Sequence, residues 1–285
     1  MIWLIGDKGM LGRQIATELN GAGIFFYGSD KEVDIGDITA LEKFVNHKSI
    51  NWIINCSAYN FVDKCESEKD LAYQVNAFGV ENLAKISNTI NAKIIHFSSD
   101  YVFDGNSNKA YNESDIPTPL SVYGKSKLEG EKLIQRIKKQ YFIFRISWLY
   151  GIYGNNFVKT MLRLFEEKNE INVINDQIGS PTYADGLAKN IVRLIKNNSE
   201  KYGIYHYSDE GEISWFDFAV QIQESAHNLG LISKKIKINP IKTSQYPTSA
   251  ERPRYSRLDK TKVQRKLNFA ILDWKMNLIK YIESV

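Results

Sequence analysis

Cysteine is scarce in this chain, histidine is scattered, and no hydrophobic run is long. The 285 residues hold two cysteines, Cys56 and Cys65, and no CxxC pair. That excludes a disulfide framework and reads as two free thiols in a cytoplasmic protein. The four histidines, His47, His96, His206 and His227, do not fall at metal-ligand spacing, so each reads as a core or surface residue. No stretch approaches the roughly 18 consecutive apolar residues of a membrane helix. A net charge of +4 is too small to argue for a nucleic-acid partner. No internal repeat or low-complexity segment stands out. Met1-Ile2-Trp3-Leu4-Ile5 runs straight into Gly6-Asp7-Lys8 with no basic region before it and no small-residue cleavage site. It reads as a first strand, not as a signal peptide.

What is present is an ordinary globular balance, 43% hydrophobic and 25% charged, in a chain long enough to bury a large core. Apolar runs of strand length alternate with amphipathic segments of helix length. The runs are Ile2–Ile5, Ile24–Tyr27, Trp52–Cys56, Ile94–Ser98 and Tyr141–Ile146. The helical segments are Met10–Leu19, Ile38–Asn46, Lys69–Ile90 and Ser121–Leu133. The runs are continuously apolar, as in strands covered by helices on both faces, which predicts a parallel α/β sheet. After Trp148 the rhythm changes, and Lys234 to Lys266 is rich in basic residues. Residues 1–147 read as one domain, rejoined by a segment near 180–207 in which Ile204–Tyr207 forms a further strand. Residues 148–285 read mainly as a smaller domain over the sheet edge.

Between the first strand and the first helix lies Gly6-Asp7-Lys8-Gly9-Met10-Leu11-Gly12, a GxxGxxG turn. Glycines there permit a tight turn, close approach of backbone to a pyrophosphate and close helix–strand packing, while the helix N-terminus offers free N–H groups to phosphate. An NAD-binding turn of this kind wants an acid at the end of the second strand. Here the strand runs into Gly28-Ser29-Asp30-Lys31, with Asp30 near and Lys31 able to meet a 2′-phosphate. NADPH, or both cofactors, is expected over strict NAD.

Tyr123 and Lys127 stand four apart on a helix, hence on one face. A phenol is too weak an acid to work well at neutral pH unaided, and a nearby ammonium stabilises its phenolate. Ser99 closes the strand Ile94–Phe97, at the sheet edge where ligands bind in open α/β folds. Its hydroxyl is expected to donate to the substrate oxygen. Lys125, Glu129, Glu131 and Lys132 read as solvated helix decoration.

The stretches NCSAYNFVDKCESE (55–68), SSDYVFDG (98–105), VYGKSKLEGE (122–131), NNFVKTML (155–162), VINDQIGSPT (173–182) and RPRYSRLD (252–259) resemble the dTDP-4-dehydrorhamnose reductases of the extended short-chain dehydrogenase/reductase superfamily. The resemblance spans essentially the whole chain. It implies a Rossmann-like doubly wound parallel sheet with a smaller C-terminal α/β substrate domain. It also implies NADPH-dependent reduction, with NADH possible, of the C4 ketone of dTDP-4-dehydro-L-rhamnose. By that resemblance Tyr123 is the proton donor, with Lys127 its partner and ribose ligand and Ser99 a hydroxyl in place of the frequent Thr. Gly6, Gly9, Met10, Leu11 and Gly12 meet the pyrophosphate. Asp34 and Ile35 lie by the adenine, and Ala58, Tyr59 and Asn60 run along the cofactor. Asp100, Tyr101 and Trp148 line the sugar or nucleotide, and Asn155, Asn156, Arg252 and Arg254 approach the rest of the dTDP-sugar. Some relatives dimerise around Mg²⁺ held by a glutamate of the first helix. Here Arg13-Gln14 occupies that turn, so no metal is expected, and a monomer or homodimer stays open. A nucleotide-sugar epimerase or dehydratase, a reductase forming dTDP-6-deoxy-L-talose, and a non-catalytic regulatory relative are the competing readings.

Overall fold

A computed structural model describes residues 1–285. The first half runs β1 (Ile2–Ile5), α1 (Met10–Gly21), β2 (Phe26–Ser29), α2 (Ile38–Val45), β3 (Trp52–Asn55), α3 (Val62–Cys65), α4 (Lys69–Tyr73), α5 (Gly79–Thr89), β4 (Lys93–Ser99), α6 (Val122–Ile137) and β5 (Tyr141–Ile146). The second half adds β6 (Leu149–Tyr150), α7 (Phe157–Glu167), β7 (Glu170–Ile174), β8 (Ile178–Gly179), β9 (Thr182–Tyr183), α8 (Ala184–Lys196), β10 (Gly203–Tyr207), β11 (Ile213–Ser214), α9 (Trp215–Asn228), β12 (Lys237–Ile241), α10 (Thr261–Leu267) and α11 (Trp274–Ile282).

Six strands form one sheet in the order β10-β5-β4-β3-β1-β2, with every neighbouring pair parallel. The strand runs lack alternation because both faces are covered. Ile2 and Leu4 of β1 pack with Leu11, Ile15 and Leu19 of α1 and with Leu187 of α8. Trp3 and Ile5, pointing the other way, pack with Leu41 of α2 and with Val80 and Leu83 of α5. This is the doubly wound, Rossmann-like architecture the strand pattern and the resemblance imply. The chain steps outward from β1 to β2 and then returns past β1 to β3. The C-terminal ends of β1 and β3 therefore flank a topological switch point, where such sheets open a crevice for ligands.

A separate core of Val158, Met161 and Phe165 with Phe218, Ile222, Trp274 and Leu278 joins α7, α9 and α11 in the second half, beside the parallel pair β7 and β12. No helix is long and apolar enough to cross a membrane.

Three local readings change. The second strand is Phe26–Ser29, two residues later than Ile24–Tyr27, so Asp30 directly follows its end. The helical pattern over Lys69–Ile90 is broken between α4 and α5 by a π-helical turn, Gln74–Phe78, whose widened backbone carries Asn76 toward α6. Glu131, read as solvated, is fully buried. It receives Arg145 of β5 in a fork, Nε to Oε1 at 3.0 Å and Nη2 to Oε2 at 2.7 Å. Arg145 Nη1 lies 3.4 Å from His206 Nε2, and His206 Nδ1 lies 2.9 Å from the Tyr111 carbonyl. That carbonyl can only accept, so Nδ1 carries the proton and Nε2 presents its lone pair to the guanidinium. Burial first, and Arg145 next, hold His206 neutral. The sequence could not show this, because the partner of Glu131 lies on another element and a Glu amid lysines looks exposed.

Removing one partner of such a pair strands a buried charge. Glu131→Ala should lower unfolding free energy by about 3–5 kcal/mol, and Glu131→Leu with Arg145→Met should recover most of the loss. Chemical denaturation of the single and double variants checks this.

Candidate active site

The glycine turn is shaped by contacts that exclude side chains. Gly6 has φ +73°, and a Cβ on it would lie 2.8 Å from the Ser57 nitrogen. A Cβ on Gly12 would overlap the Gly6 carbonyl. Gly9 is the N-cap of α1, has no side-chain cap, and meets only the Gly6 oxygen within 4 Å. The first turn of α1 thus presents uncapped N–H groups to open space beside the switch point. That donor set and that cradle fit a dinucleotide pyrophosphate. Leu11 contributes its side chain to the core, so only its backbone is available at the turn. Asp34 is exposed and caps its own loop through Gly36 N at 2.8 Å, while Ile35 is buried against Gly79. Lys31 is exposed, and Lys8 pairs with Glu32 at 3.0 Å.

Beyond β3, the loop carrying Ala58, Tyr59 and Asn60 is tied down by Asn76. Tyr59 N donates to Asn76 Oδ1 at 2.8 Å, and Asn76 Nδ2 donates to Tyr59 O at 3.0 Å and to Ser126 Oγ at 3.1 Å. Ser126 in turn donates to the Tyr123 carbonyl at 2.8 Å. Asn76 is therefore the clamp between the loop and α6, and sequence reasoning missed it. A signal existed in Gly130. A glycine inside a helix costs roughly 1 kcal/mol relative to Ala, and here a Cβ at that position would overlap the Asn76 carbonyl.

The structure brings Tyr123, Asn60, Ser99, Asp100 and Tyr101 together where β4 meets the start of α6. Ser121 caps α6 through Gly124 N at 3.2 Å, and a Cβ on Gly124 would overlap the Tyr101 carbonyl. Tyr123 is buried, packs edge-on to Tyr101 with ring centroids 5.6 Å apart, and donates its hydroxyl to Asn60 Oδ1 at 3.3 Å. Burial pushes the phenol up, against the Ser99 hydroxyl, which pulls it down. The group is therefore protonated at neutral pH and able to give a proton. Lys127 is buried at 2% exposure and donates to the Phe97 carbonyl at 2.6 Å. Burial lowers its ammonium to about 8, with Glu131 and Cys56 acting the other way. Beneath it His96, hydrogen-bonded to Asn55 at 3.1 Å, is kept neutral by burial and then by Lys127 itself.

Several expected roles change on this geometry. Asp100 does not face an open sugar site. It is 2% exposed and turned to Ser99, whose Oγ lies 3.0 Å from Asp100 Oδ1 and accepts from Tyr101 N at 3.1 Å. The Ser99 proton is thereby directed at Asp100 and not at a substrate. Asn156 caps α7, accepting from Lys159 N at 3.0 Å and donating to Gly151 O at 2.8 Å, so its amide is committed to the fold. Asn155 is exposed. Arg252 forks onto Asp63 of α3 at 3.1 and 2.7 Å, while Arg254 is exposed. Both arginines line a cavity of about 500 Å³ with Asp104, Asn106, Tyr246 and Ser249. Trp148 adopts φ +46° and stacks on Trp215 at 3.6 Å between centroids.

With this geometry in hand, comparison with known proteins is direct. The model of the RmlD substrate binding domain matches residues 1–285. A dTDP-4-dehydrorhamnose reductase from Aggregatibacter actinomycetemcomitans is 41% identical, covering 96% of each chain. One from Escherichia coli strain K12 is 38% identical over 100% of this chain and 97% of its own. The crystal structure of a dTDP-4-dehydrorhamnose reductase from Bacillus anthracis in complex with NADP superposes with a TM-score of 0.93. It is 40% identical and covers 100% of this chain and 99% of that one.

Burial of Lys127 makes a stability prediction. Below about 8 both folded and unfolded lysine hold the proton and the full burial penalty applies. Between there and an unfolded value of ~10.4, only the unfolded chain stays protonated, so raising pH favours the fold. Relative to Lys127→Met, the wild type should gain roughly 3 kcal/mol of stability between these limits. Denaturation series near neutral pH and near pH ~10 should show the gap between the two proteins change in that direction.

Proposed function

The chain belongs to the RmlD substrate binding domain family, and from that premise we propose that Tyr123, Lys127 and Ser99 carry the family's reaction at the end of β4. The reaction is NADPH-dependent reduction of the C4 ketone of dTDP-4-dehydro-L-rhamnose to dTDP-L-rhamnose. The observation that carries this reading is the placement of a buried, protonated Tyr123 beside Asn60 and Ser99, next to the glycine cradle at the switch point.

The backbone of Gly6, Gly9, Met10, Leu11 and Gly12 would hold the cofactor pyrophosphate. Asp34 and Ile35 would lie by its adenine, Ala58, Tyr59 and Asn60 along its length, and Tyr123 and Lys127 at its ribose. When bound, the reduced nicotinamide supplies hydride to C4 of the sugar. As charge grows on the sugar oxygen, Tyr123 passes its phenolic proton to it. The Lys127 ammonium, fixed by the Phe97 carbonyl, makes the resulting phenolate tolerable in a site that burial has made unfavourable to it. Tyr101 and Trp148 would wall the sugar, and the exposed Arg254 would offer its planar fork to the diphosphate across the cavity, beside Arg252, whose own fork is held by Asp63. A cytoplasmic setting, where reduced cofactor is available, agrees with two free thiols.

General acid catalysis of this type contributes ~10²–10⁴ in rate. Tyr123→Phe should lower kcat by about that factor while NADPH still binds, as read by NADPH oxidation with the 4-keto sugar and by cofactor titration. Turnover within a few-fold of wild type would remove Tyr123 from the mechanism. NMR of the product sugar gives the configuration at C4, with dTDP-6-deoxy-L-talose as the contrary outcome.

A further inference from the structure

Ser99 has one proton and more claims on it than it can meet. Its Oγ lies 3.0 Å from Asp100 Oδ1, accepts from the Tyr101 N–H at 3.1 Å, and faces the Tyr123 hydroxyl. An ionised carboxylate has no proton to give, so against it Ser99 must be the donor. One lone pair then serves Tyr101, the proton serves Asp100, and only a lone pair is left toward the reacting oxygen. A protonated carboxyl reverses this. The Asp100 O–H fills the second lone pair, and the Ser99 proton is turned outward toward the phenol and the sugar oxygen.

The surroundings of Asp100 make the neutral form accessible. The residue is 2% exposed, and its Oδ2 is buried without a hydrogen bond of good geometry. The Ser256 hydroxyl faces the carboxyl and favours its ionised form. The titratable groups against it are Tyr101 and Tyr123. Arg252 faces Tyr101 and is held by Asp63. Burial accordingly raises the carboxyl to about 6, against the Ser256 and Ser99 hydroxyls and the backbone N–H groups of Asp100 and Tyr101.

We propose that Asp100 is a positioning residue whose proton state decides whether Ser99 donates or accepts at the reacting oxygen, and that the donating arrangement, with Asp100 neutral, is the one that reduces the ketone. This rests on the reading of Tyr123 as proton donor. The sugar oxygen becomes negative as hydride arrives, so a second donor beside Tyr123 stabilises it and a bare lone pair opposes it. The proton balance of the reaction is unchanged. Tyr123 supplies the transferred proton, and Asp100 and Ser99 keep theirs.

Carboxyl ¹³C NMR of aspartate-labelled protein without ligands should show a signal titrating at about 6. It should vanish in Asp100→Asn and shift to higher pH in Ser99→Ala, where the carboxylate loses a donor. In the wild type, kcat/KM should fall about tenfold or more as pH rises through that midpoint, the effect of losing one donor at a developing oxyanion. Asp100→Asn, whose amide N–H can donate to Ser99 at any pH, should flatten the step. Ser99→Ala should flatten it too, with lower activity throughout. A step that persists in either variant, or an Asp100 signal that does not titrate near the kinetic midpoint, overturns the proposal. Failure of the Tyr123 reading shows itself separately, as retained turnover in Tyr123→Phe.

Discussion

Everything at the site depends on how closely α6 can lie against the ends of the sheet. Two missing side chains set that distance. Gly124 brings the helix onto the Tyr101 carbonyl, and Gly130 brings it onto the Asn76 carbonyl. With the helix held there, Tyr123, Lys127 and Glu131, spaced by four, point along one buried face. Each meets a different partner from the sheet or from the loop beyond β3. Tyr123 meets Asn60, Lys127 meets the Phe97 carbonyl, and Glu131 meets Arg145. A helix a few tenths of an ångström farther out would lengthen all three contacts together.

That closeness sets the electrostatics. Burial is the leading influence on three groups on or under this face. It raises Tyr123, lowers Lys127, and keeps His96 neutral. For a reduction these directions are useful. In the proposed reaction Tyr123 starts protonated, and the Lys127 ammonium would matter most once a phenolate forms, because opposite charges interact more strongly where water is excluded. The Glu131–Arg145 pair makes the same environment tolerable farther along α6 by pairing its charges within a fork instead of leaving them to solvent.

Much of the fold could be read from the chain because it follows from local pattern. Continuous apolar runs became the strands of a doubly wound parallel sheet, and GxxGxxG became the turn between β1 and α1. Tyr123 and Ser99 do face each other, while Lys127, on the same helix face, reaches the Phe97 carbonyl. What stayed hidden depends on partners remote in sequence. Glu131 could not be told from Glu129 without knowing where Arg145 lies. The π-helical turn that aims Asn76 looked like part of one long helix. Asp100 looked like a sugar contact because its burial behind Ser99 is set by the packing of Tyr101 and the C-terminal loop. Arg252 was legible as a cation but not as the partner of Asp63.

The second half of the chain reaches the site at a cost in backbone strain. Trp148 holds φ +46°, a conformation that costs a large non-glycine residue about 1–3 kcal/mol. Three features keep it there. Its carbonyl accepts from Thr182 N at 3.2 Å, its ring stacks on Trp215, and Gly179 leaves room where a Cβ would press to 2.8 Å of the indole. All three partners come from the second half, and Trp215 opens α9, whose helix packs into the separate core. The indole is thus braced by the second half of the chain, while the Tyr123 phenol is braced by Tyr101 and by the loop beyond β3. A relaxed backbone at this position would swing the ring away from its Trp215 support.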